Sequence, residues 1–417
     1  MNLNKIFRAL GVALFALAGF ATSNAENPVM SPYSRFGFGQ LSNNATSAQR
    51  SMGGVGYAMN NGRQINVMNP ASYAACDSLT FLFDMGVDVT MLWSKEGDVS
   101  ERQTGGGLDY VTMQFPICKY VGASVGILPY SSVGYSFGSE IDNGTSTHSG
   151  SGGLAQLYGG VAVRPFKGFS LGVNVAYLFG NIVNDVYATT TSSTSTLFER
   201  VMSVKDWRMD IGVQYSLNLN PDNRVTAGVV YSPSKGLHGD ALGIMYDTSL
   251  STIVPDTIAD TKLKGKYSLP ESWGAGLAYE WRQRFLVEAD FNYQPWSKAK
   301  NTPLQDFETT EYADMWRVAL GMQYTPDPRG GYLKRIQYRV GGYYNNDYVV
   351  IKDNRIRDYG VSMGFGLPVP GYKTVINLGF EYRHRQANPQ PLIKEQYFNI
   401  TLGINFNEMW FRKSKIY

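Results

Sequence analysis

Apolar and polar residues alternate one by one along most of the chain after residue 79, the pattern of β-strands whose two faces meet different surroundings. In the last such run, Phe398 and Ile400 share one face, whereas Asn399 and Thr401 share the other. The other clear runs lie at 81–90, 169–179, 285–293, 359–367 and 376–383. Several runs exceed the roughly 5–6 residues usual in soluble strands and reach the roughly 9–11 that cross a bilayer. The pattern therefore favours a transmembrane β-barrel over a soluble β-sandwich, which would also alternate.

The connections between the predicted strands form two sets that alternate along the chain. We predict about 14 strands, the first at 79–93 and the last at 394–407. The short connections are Cys118 alone, 165–167, 220–222, Gln283, 326–331 and 368–371. The longer polar connections lie near 94–105, 139–152, 185–195, 238–260, 297–309, 348–355 and 386–393. Short periplasmic turns and long outer loops predict an all-β fold, a transmembrane antiparallel β-barrel of about 14 strands with both ends in the periplasm.

The composition agrees with a membrane barrel and argues against other classes. Charged residues make up 17% of the 417, below the roughly 25% of soluble proteins, whereas aromatic residues reach 13% and glycines number 45. A mean hydropathy of −0.22 is too low for a bundle of membrane helices. The net charge of +3 provides no broad basic surface, so no nucleic-acid partner is expected.

The beginning of the chain has the features of a secretory signal peptide. Lys5 and Arg8 precede or flank an apolar run at 9–20, and residues 23–25 form a small-x-small cleavage site. The apolar run is shorter than the roughly 20 residues of a spanning helix. The residue directly after the cleavage site is Glu26 and not a cysteine, so a lipoprotein is not expected.

The chain thus divides into a signal peptide at 1–25, an N-terminal hatch or plug at 26–78 and an outer-membrane β-barrel at 79–417. The middle part lacks sustained alternation and is rich in Gly and Asn, yet it has more apolar residues than a disordered tail would. A barrel of about 14 strands has a lumen too wide for its own side chains to fill. We therefore predict a plugged barrel of the bacterial outer membrane, a monomer inserted by the barrel-assembly machinery.

The segment QRSMGGVGYAMNNGRQINVMNPASYA, residues 49–74, resembles the hatch of FadL-type outer-membrane transporters, where a Gly-rich stretch and an Asn-Pro-Ala motif lead into the first strand. LPESWGAGLAY, residues 269–279, resembles a strand in the second half of those barrels. The hatch positions that carry the resemblance are Gly53, Gly54, Gly56, Asn69, Pro70 and Ala71. The resemblance implies passive uptake of small hydrophobic molecules, fatty-acid-like or aromatic, with sideways release into outer-membrane lipid.

Pro129, Ser131 and Ser132 lie in the predicted third strand, where proline cannot donate a ladder hydrogen bond. In FadL-type barrels this strand kinks inward and opens the wall sideways. The resemblance therefore makes these three residues candidates for a lateral opening. A bulge near the barrel rim without a function is the alternative.

Two further functions stay open on the sequence. PorV-type members of the same superfamily serve protein secretion and surface attachment, and large structured outer loops with a sealed wall would favour that role. A structural, porin-like barrel would have an open aqueous lumen. An apolar pocket beside the hatch, together with a gap in the wall, would favour transport.

The alternation also places charged side chains on the face that looks into the lumen. These lumen-lining candidates are Asp84, Asp88, Glu288, Asp290, Glu381 and Arg383. They are expected either to line a permeation path or to solvate a polar lumen of the kind that such barrels generally have.

Cys76 and Cys118 are the two cysteines of the chain, and both are predicted at the periplasmic end of the barrel. The periplasm is oxidising, so a disulfide between them is one expectation. Two free thiols are the other, because a disulfide requires a geometry that the sequence does not supply.

No catalytic residue, metal site or cofactor is predicted. His238 and Asp240 are close in sequence, but no serine is placed as a nucleophile, and His148 and His384 lie in or near predicted loops. We therefore expect a protein that is not an enzyme, with outer-membrane lipid and a small hydrophobic ligand as partners.

Overall fold

The wall of the molecule is a closed antiparallel β-barrel of 14 strands, which confirms the predicted fold class. The computed structural model describes residues 31–77, 80–141, 144–190, 195–247, 255–302, 311–371 and 373–409. The predicted signal peptide at 1–25 lies outside the described residues. The strands are β1 (Thr80–Glu96), β2 (Val99–Cys118), β3 (Val121–Ile141), β4 (Gly144–Phe166), β5 (Phe169–Thr190), β6 (Ser195–Asn220), β7 (Asn223–Ser232), β8 (Ser272–Trp281), β9 (Phe285–Gln294), β10 (Met315–Tyr324), β11 (Gln337–Ile351), β12 (Asn354–Pro368), β13 (Val375–Asn388) and β14 (Lys394–Met409).

Pairing of the last strand with the first closes the barrel. Strand β14 runs antiparallel to β1 in a register that extends from Thr80 opposite Met409 to Lys95 opposite Lys394. Every other strand pairs with its neighbours along the chain, so closure leaves both ends of the wall on the side of the short turns. Among the described residues, no helix has the length and apolar character needed to cross a membrane.

The strands turn apolar side chains outward and polar side chains inward. On β9, Phe291 is 47% exposed, whereas Glu288 and Asp290 on the opposite face are buried. On β8, Trp273 and Leu277 likewise point outward. This is the arrangement that lipid outside and a filled lumen inside require, and it is the alternation read from the sequence.

Two rows of aromatic residues mark the height of the outer apolar surface. Trp273 of β8 lies opposite Tyr293 of β9, which lies opposite Trp316 of β10. At the other end of β8, Trp281 lies opposite Phe285. Strands β7 to β10 have 10 residues each, the length that crosses a bilayer.

On the opposite side of the barrel, the strands continue far beyond the apolar surface. Strands β1 to β6 have 17 to 26 residues, and β1 and β2 are joined by Gly97 and Asp98 alone. The predicted polar loops near 94–105, 139–152 and 185–195 are therefore largely continuations of strands. Antiparallel ladders need no lipid to stay paired, and polar residues on both faces are expected where a hairpin stands in water.

Residues 31–77 fill the lumen as a series of short elements. These are a 3₁₀ helix at Pro32–Arg35, a two-residue strand at Gln40–Leu41, helix α1 at Ser47–Arg50 and a 3₁₀ helix at Pro70–Ala75. We call residues 31–77 the hatch. A capping box begins α1, since Thr46 and Gln49 satisfy each other's backbone amides.

Glycines of the wall allow the hatch backbone to approach it closely. A Cβ at Gly341 of β11 would lie 2.1 Å from the carbonyl carbon of Met52, and one at Gly228 of β7 would lie 1.9 Å from the carbonyl oxygen of Tyr57. No side chain fits at either position while the hatch keeps its place. The glycine content of the sequence thus serves the contact between wall and hatch.

Candidate functional site

The Asn-Pro-Ala motif forms the inner base of the hatch. Asn69 caps the 3₁₀ helix at Pro70–Ala75 by accepting a hydrogen bond from the amide of Ala71 at 3.1 Å. The side-chain nitrogen of Asn69 donates to the carbonyl oxygens of Tyr57 at 2.7 Å and Val213 at 3.3 Å. One amide side chain therefore joins the helix, the rest of the hatch and strand β6.

The Gly-rich motif forms a turn that crosses the lumen. Gly53 and Gly54 have φ of +72° and +70°, the left-handed region that favours glycine. The amide of Gly53 donates to Ser362 of β12 at 2.8 Å, and Arg317 of β10 donates to the carbonyl oxygen of Gly53 at 2.8 Å. The wall thus holds both polar groups of this turn.

Glu288 and Asp290, both predicted to line the lumen, hold the next part of the hatch. Asp290 accepts hydrogen bonds from the amides of Gly56 at 2.7 Å and Tyr57 at 3.1 Å. Glu288 accepts one from the amide of Ala58 at 2.7 Å. Two buried carboxyl groups on one strand therefore satisfy three consecutive hatch amides, which we call the acidic hook.

Asp84 is also buried inside the barrel, and it has a structural contact rather than a place on a cavity wall. It accepts hydrogen bonds from the hydroxyl of Tyr110 at 2.9 Å and from Asn405 at 3.1 Å. The same Tyr110 hydroxyl accepts from the amide of Ser47, at the start of helix α1. Asp84 thereby fixes the hatch helix through one intervening tyrosine.

The other predicted lumen residues, Asp88, Glu381 and Arg383, line a cavity of about 510 Å³ between the hatch and the wall, which Asp290 also lines. Its charges are largely neutralised within the wall and hatch. Arg383 pairs with Asp358 on β12, and Glu381 accepts a hydrogen bond from the hydroxyl of Tyr343 at 2.7 Å. The lining of the cavity is mixed, because these charged residues face it together with apolar side chains such as Leu108 and Met315.

Arg50 supplies a further charge pair at the same cavity. Its guanidinium lies 2.7 Å from a carboxylate oxygen of Asp109 on β2. This pair joins helix α1 to the wall. No signal in the sequence marked either residue, because the pairing connects segments 59 residues apart.

A cluster of buried apolar side chains, which we call the mouth cluster, lies toward the outer end of the lumen. Its aromatic members are Tyr33, Phe38, Tyr135, Tyr267, Trp296 and Tyr348. The ring centroids of Trp296 and Tyr348 are 4.3 Å apart, and Phe38 packs on Trp296 at 5.9 Å. Its members on the wall come from β3 to β6 and from β11 to β13, so the cluster joins two separate parts of the wall across the lumen. The apolar residues of the hatch thus reach the outer end of the barrel as well as its base.

Strands β2 and β3 part from each other halfway along their length. Their pairing begins with Cys118 opposite Val121 and ends with Val111 opposite Ile127. Beyond that point β3 stays paired with β4, with an irregularity between Pro129 and Ser131. On its free side, Ser131 and Ser132 pair with the hatch strand Gln40–Leu41.

The three residues singled out in the third strand therefore lie where the wall changes partner. Among the described residues, β2 has no pairing with β3 outward of Val111. The cavity reaches this gap, since Leu108 of β2 and Pro129 of β3 line it.

The structure has Cys76 and Cys118 as free thiols. Cys118 is exposed at the end of β2, whereas Cys76 is partly buried after the 3₁₀ helix of the hatch base. Burial raises the pKa of the Cys76 thiol to about 11, although a hydrogen bond with Gln114 acts in the opposite direction.

In denaturant without a reductant, two thiols per chain are expected to react with an alkylating reagent. In the folded protein near pH 8, Cys118 should react first and Cys76 more than about tenfold more slowly, because a protonated thiol is a poor nucleophile. Mass spectrometry over a time course measures both. Reaction that appears only after reduction would instead indicate a disulfide.

His238, which is close to Asp240 in the sequence, forms a structural contact. The ring of His238 lies 3.2 Å from Asp206 on β6, and Lys235 pairs with the same carboxylate at 2.6 Å. The adjacent Asp240 pairs with Lys262 across an outer hairpin formed by Gly239–Asp247 and Pro255–Lys262. These contacts hold the hairpin against the rim of the barrel.

Comparison with solved structures finds the same fold in proteins of very different sequence. The CymD monoaromatic hydrocarbon channel is 14% identical with a TM-score of 0.60, over 90% of this chain and 100% of that one. A Pseudomonas aeruginosa FadL homologue is 12% identical with a TM-score of 0.64, over 88% and 99%. The P. putida toluene transporter TodX is 13% identical with a TM-score of 0.58, over 89% and 99%.

These likenesses confirm the FadL-type fold. No match was found among curated proteins. A family model described as BamG matches residues 6–417, nearly the whole chain.

Proposed function

Because the chain belongs to the BamG family, we propose that it is a plugged barrel that serves a protein partner in the outer membrane and does not conduct solutes through its lumen. The family name points to the barrel-assembly machinery as that partner. The observation that carries the proposal is the filling of the lumen at two levels. The lower level is the part of the hatch at 42–77, and the upper level is the mouth cluster, to which Tyr33 and Phe38 of the hatch belong.

The lower level is supported by hydrogen bonds that the wall makes to the hatch from several sides. The acidic hook on β9, Ser362 on β12 and Tyr110 on β2 each hold a hatch amide. Each bond is worth about 1 kcal/mol, and opening would leave buried groups unpaired at about 1–3 kcal/mol each. A hatch held by hydrogen bonds from several strands is expected to stay in place as part of a rigid barrel and not to open as a gate.

The outer surface of the barrel also suits a partner. Strands β3 to β6 rise beyond the membrane as paired hairpins, and the outer hairpin extends the same sheet by pairing Gly239–Asp247 with β6. A large ordered surface outside the bilayer is one of the two features expected of the protein-interaction role. The other, a sealed wall, is not met, because β2 and β3 are unpaired outward of Val111 and Ile127.

Uptake of hydrophobic molecules with lateral release is the second candidate. It is favoured by the gap between β2 and β3 outward of Val111 and Ile127, which the cavity reaches. Solved barrels of the same fold are described as hydrocarbon channels or toluene transporters. The mixed lining of the cavity, in which Asp88 and Arg383 face apolar side chains, favours this candidate less than a wholly apolar pocket would.

The two candidates differ in what the loss of the protein does to a cell. Under the first, a tagged full-length chain purified in mild detergent is expected to bring the barrel-assembly machinery with it, and depletion of the chain should lower the amounts of other outer-membrane barrels. Mass spectrometry of the purified sample measures the first effect, with an unrelated tagged barrel as the control. Quantitative mass spectrometry of outer membranes measures the second.

Uptake of radiolabelled toluene and of a labelled fatty acid, in cells with and without the chain, is the companion measurement. Equal uptake together with loss of other barrels agrees with the partner role. Reduced uptake with an unchanged outer-membrane protein content would contradict it and support transport.

A further inference from the structure

The periplasmic end of the barrel carries a set of exposed cations on its turns. Lys119 follows β2, and Lys167 follows β4. Arg329 and Lys334 lie between β10 and β11, and Lys373 lies between β12 and β13. These five side chains, which we call the basic rim, lie on four turns. Because β14 pairs with β1, the four turns follow one another around the barrel from β10 to β5, over more than half of its circumference.

Carboxylates at the same end of the barrel are already paired with other cations. Asp222 pairs with Arg282 at 2.8 Å, and Asp327 lies 3.8 Å from Arg284. Glu280 likewise pairs with Arg224, and Asp77 with Arg63.

In the part of the chain that the structure describes, none of the five cations of the basic rim forms an ion pair. Glu408, exposed near the end of β14, is a carboxylate that offsets one of them. The periplasmic end therefore has a net positive charge that the protein itself leaves uncompensated.

Several of these cations stand beside exposed apolar side chains. Tyr120 is 54% exposed, and the ammonium of Lys119 lies 5.4 Å from the centre of its ring. Phe166 at 59% exposed precedes Lys167, and Leu333 at 71% precedes Lys334. An apolar group that enters the acyl region next to a long cation that reaches the head groups is the arrangement found at a membrane surface.

We propose that the basic rim binds the phosphate groups of anionic phospholipids in the inner leaflet of the outer membrane. Lipid is the occupant that fits best, because the cations extend over more than half of the circumference and stand beside apolar side chains exposed to the bilayer. The outer end of the molecule differs, because there cations and acids are both present and pair locally, as Lys262 does with Asp240.

The test compares the lipid that the full-length protein keeps after purification. Wild-type protein is reconstituted in nanodiscs of equal parts phosphatidylethanolamine and phosphatidylglycerol and then extracted gently. Native mass spectrometry counts the two lipids that stay bound. We expect phosphatidylglycerol to exceed phosphatidylethanolamine by about fivefold or more, and the excess to fall with added salt.

One variant removes the basic rim, and a matched variant removes the same number of cations from the outer end. The first combines Lys119→Gln, Lys167→Gln, Arg329→Gln, Lys334→Gln and Lys373→Gln. The second combines Lys95→Gln, Lys264→Gln, Lys266→Gln, Lys300→Gln and Lys352→Gln, all at exposed positions. The substitutions lie at the ends of strands or in connections, and heat-modifiable migration in electrophoresis checks that both barrels are folded.

The proposal expects the first variant to lose the preference for phosphatidylglycerol and the second to keep it. Equal binding of the two lipids by the wild type would overturn the proposal. A first variant that keeps its preference for phosphatidylglycerol would also overturn it. If that variant loses a co-purifying protein instead, the basic rim binds an acidic protein surface and not lipid.

Discussion

Replacement of Gly341 by valine is expected to expel the turn at Met52–Gly53 from its place and expose the hatch to protease. The new Cβ would lie 2.1 Å from the carbonyl carbon of Met52 and 2.3 Å from the amide nitrogen of Gly53. Both are backbone atoms, so no rotamer change relieves the clash, and overpacking of this kind costs about 1–3 kcal/mol or more. Limited proteolysis of the folded barrel, followed by mass spectrometry, measures the exposure.

Gly159→Val provides the matched control for that experiment. Gly159 lies on the exposed face of β4, and a Cβ there would meet no atom within 4 Å. This variant should keep a protected hatch. If Gly341→Val keeps one too, the hatch is held less closely to β11 than the structure indicates.

Loss of the acidic hook is expected to have the second large effect, the appearance of ion conductance through a barrel that is otherwise closed. Glu288→Leu with Asp290→Leu leaves the amides of Gly56, Tyr57 and Ala58 without acceptors. Each unpaired buried amide costs about 1–3 kcal/mol, so the hatch segment should leave the wall and admit water. Planar-bilayer recording of the reconstituted protein measures the conductance.

Asp290→Asn tests whether the hook acts through its hydrogen bonds. The amide oxygen of asparagine still accepts hydrogen bonds, so this variant should stay closed. Wild-type protein that conducts as well as the double variant would contradict the closed lumen on which the proposed partner role rests.

Alternation in the sequence was sufficient to predict the wall, because a strand between lipid and lumen must change character at every residue. It placed Glu288, Asp290 and Asp84 on the inner face, where they lie. The alternation did not reveal that Glu288 and Asp290 bind the hatch whereas Asp88 lines a cavity. That difference depends on which hatch residue lies next to each carboxyl group in the folded protein.

The ends of the strands were harder to predict for the same reason. Beyond the membrane both faces of a hairpin meet water, so the sequence no longer alternates although the strands stay paired. The hairpin of β3 and β4 is an example, since its ladder still pairs Glu140 with Thr145. Trp296 shows a second reason why the sequence was insufficient. It lies at a strand end, as an interfacial tryptophan would, yet it is fully buried because Phe38 and Tyr348 pack against it.

The strand Gln40–Leu41 has a consequence for the order in which the protein is made. It pairs with Ser131 and Ser132 on β3, and other hatch residues contact strands as late in the chain as β12 and β14. The hatch is synthesised first, but its partners arrive over the following three hundred or so residues. The wall closes when β14 pairs with β1, so it must form around the hatch. The first part of the chain to be synthesised therefore becomes the core that the barrel encloses.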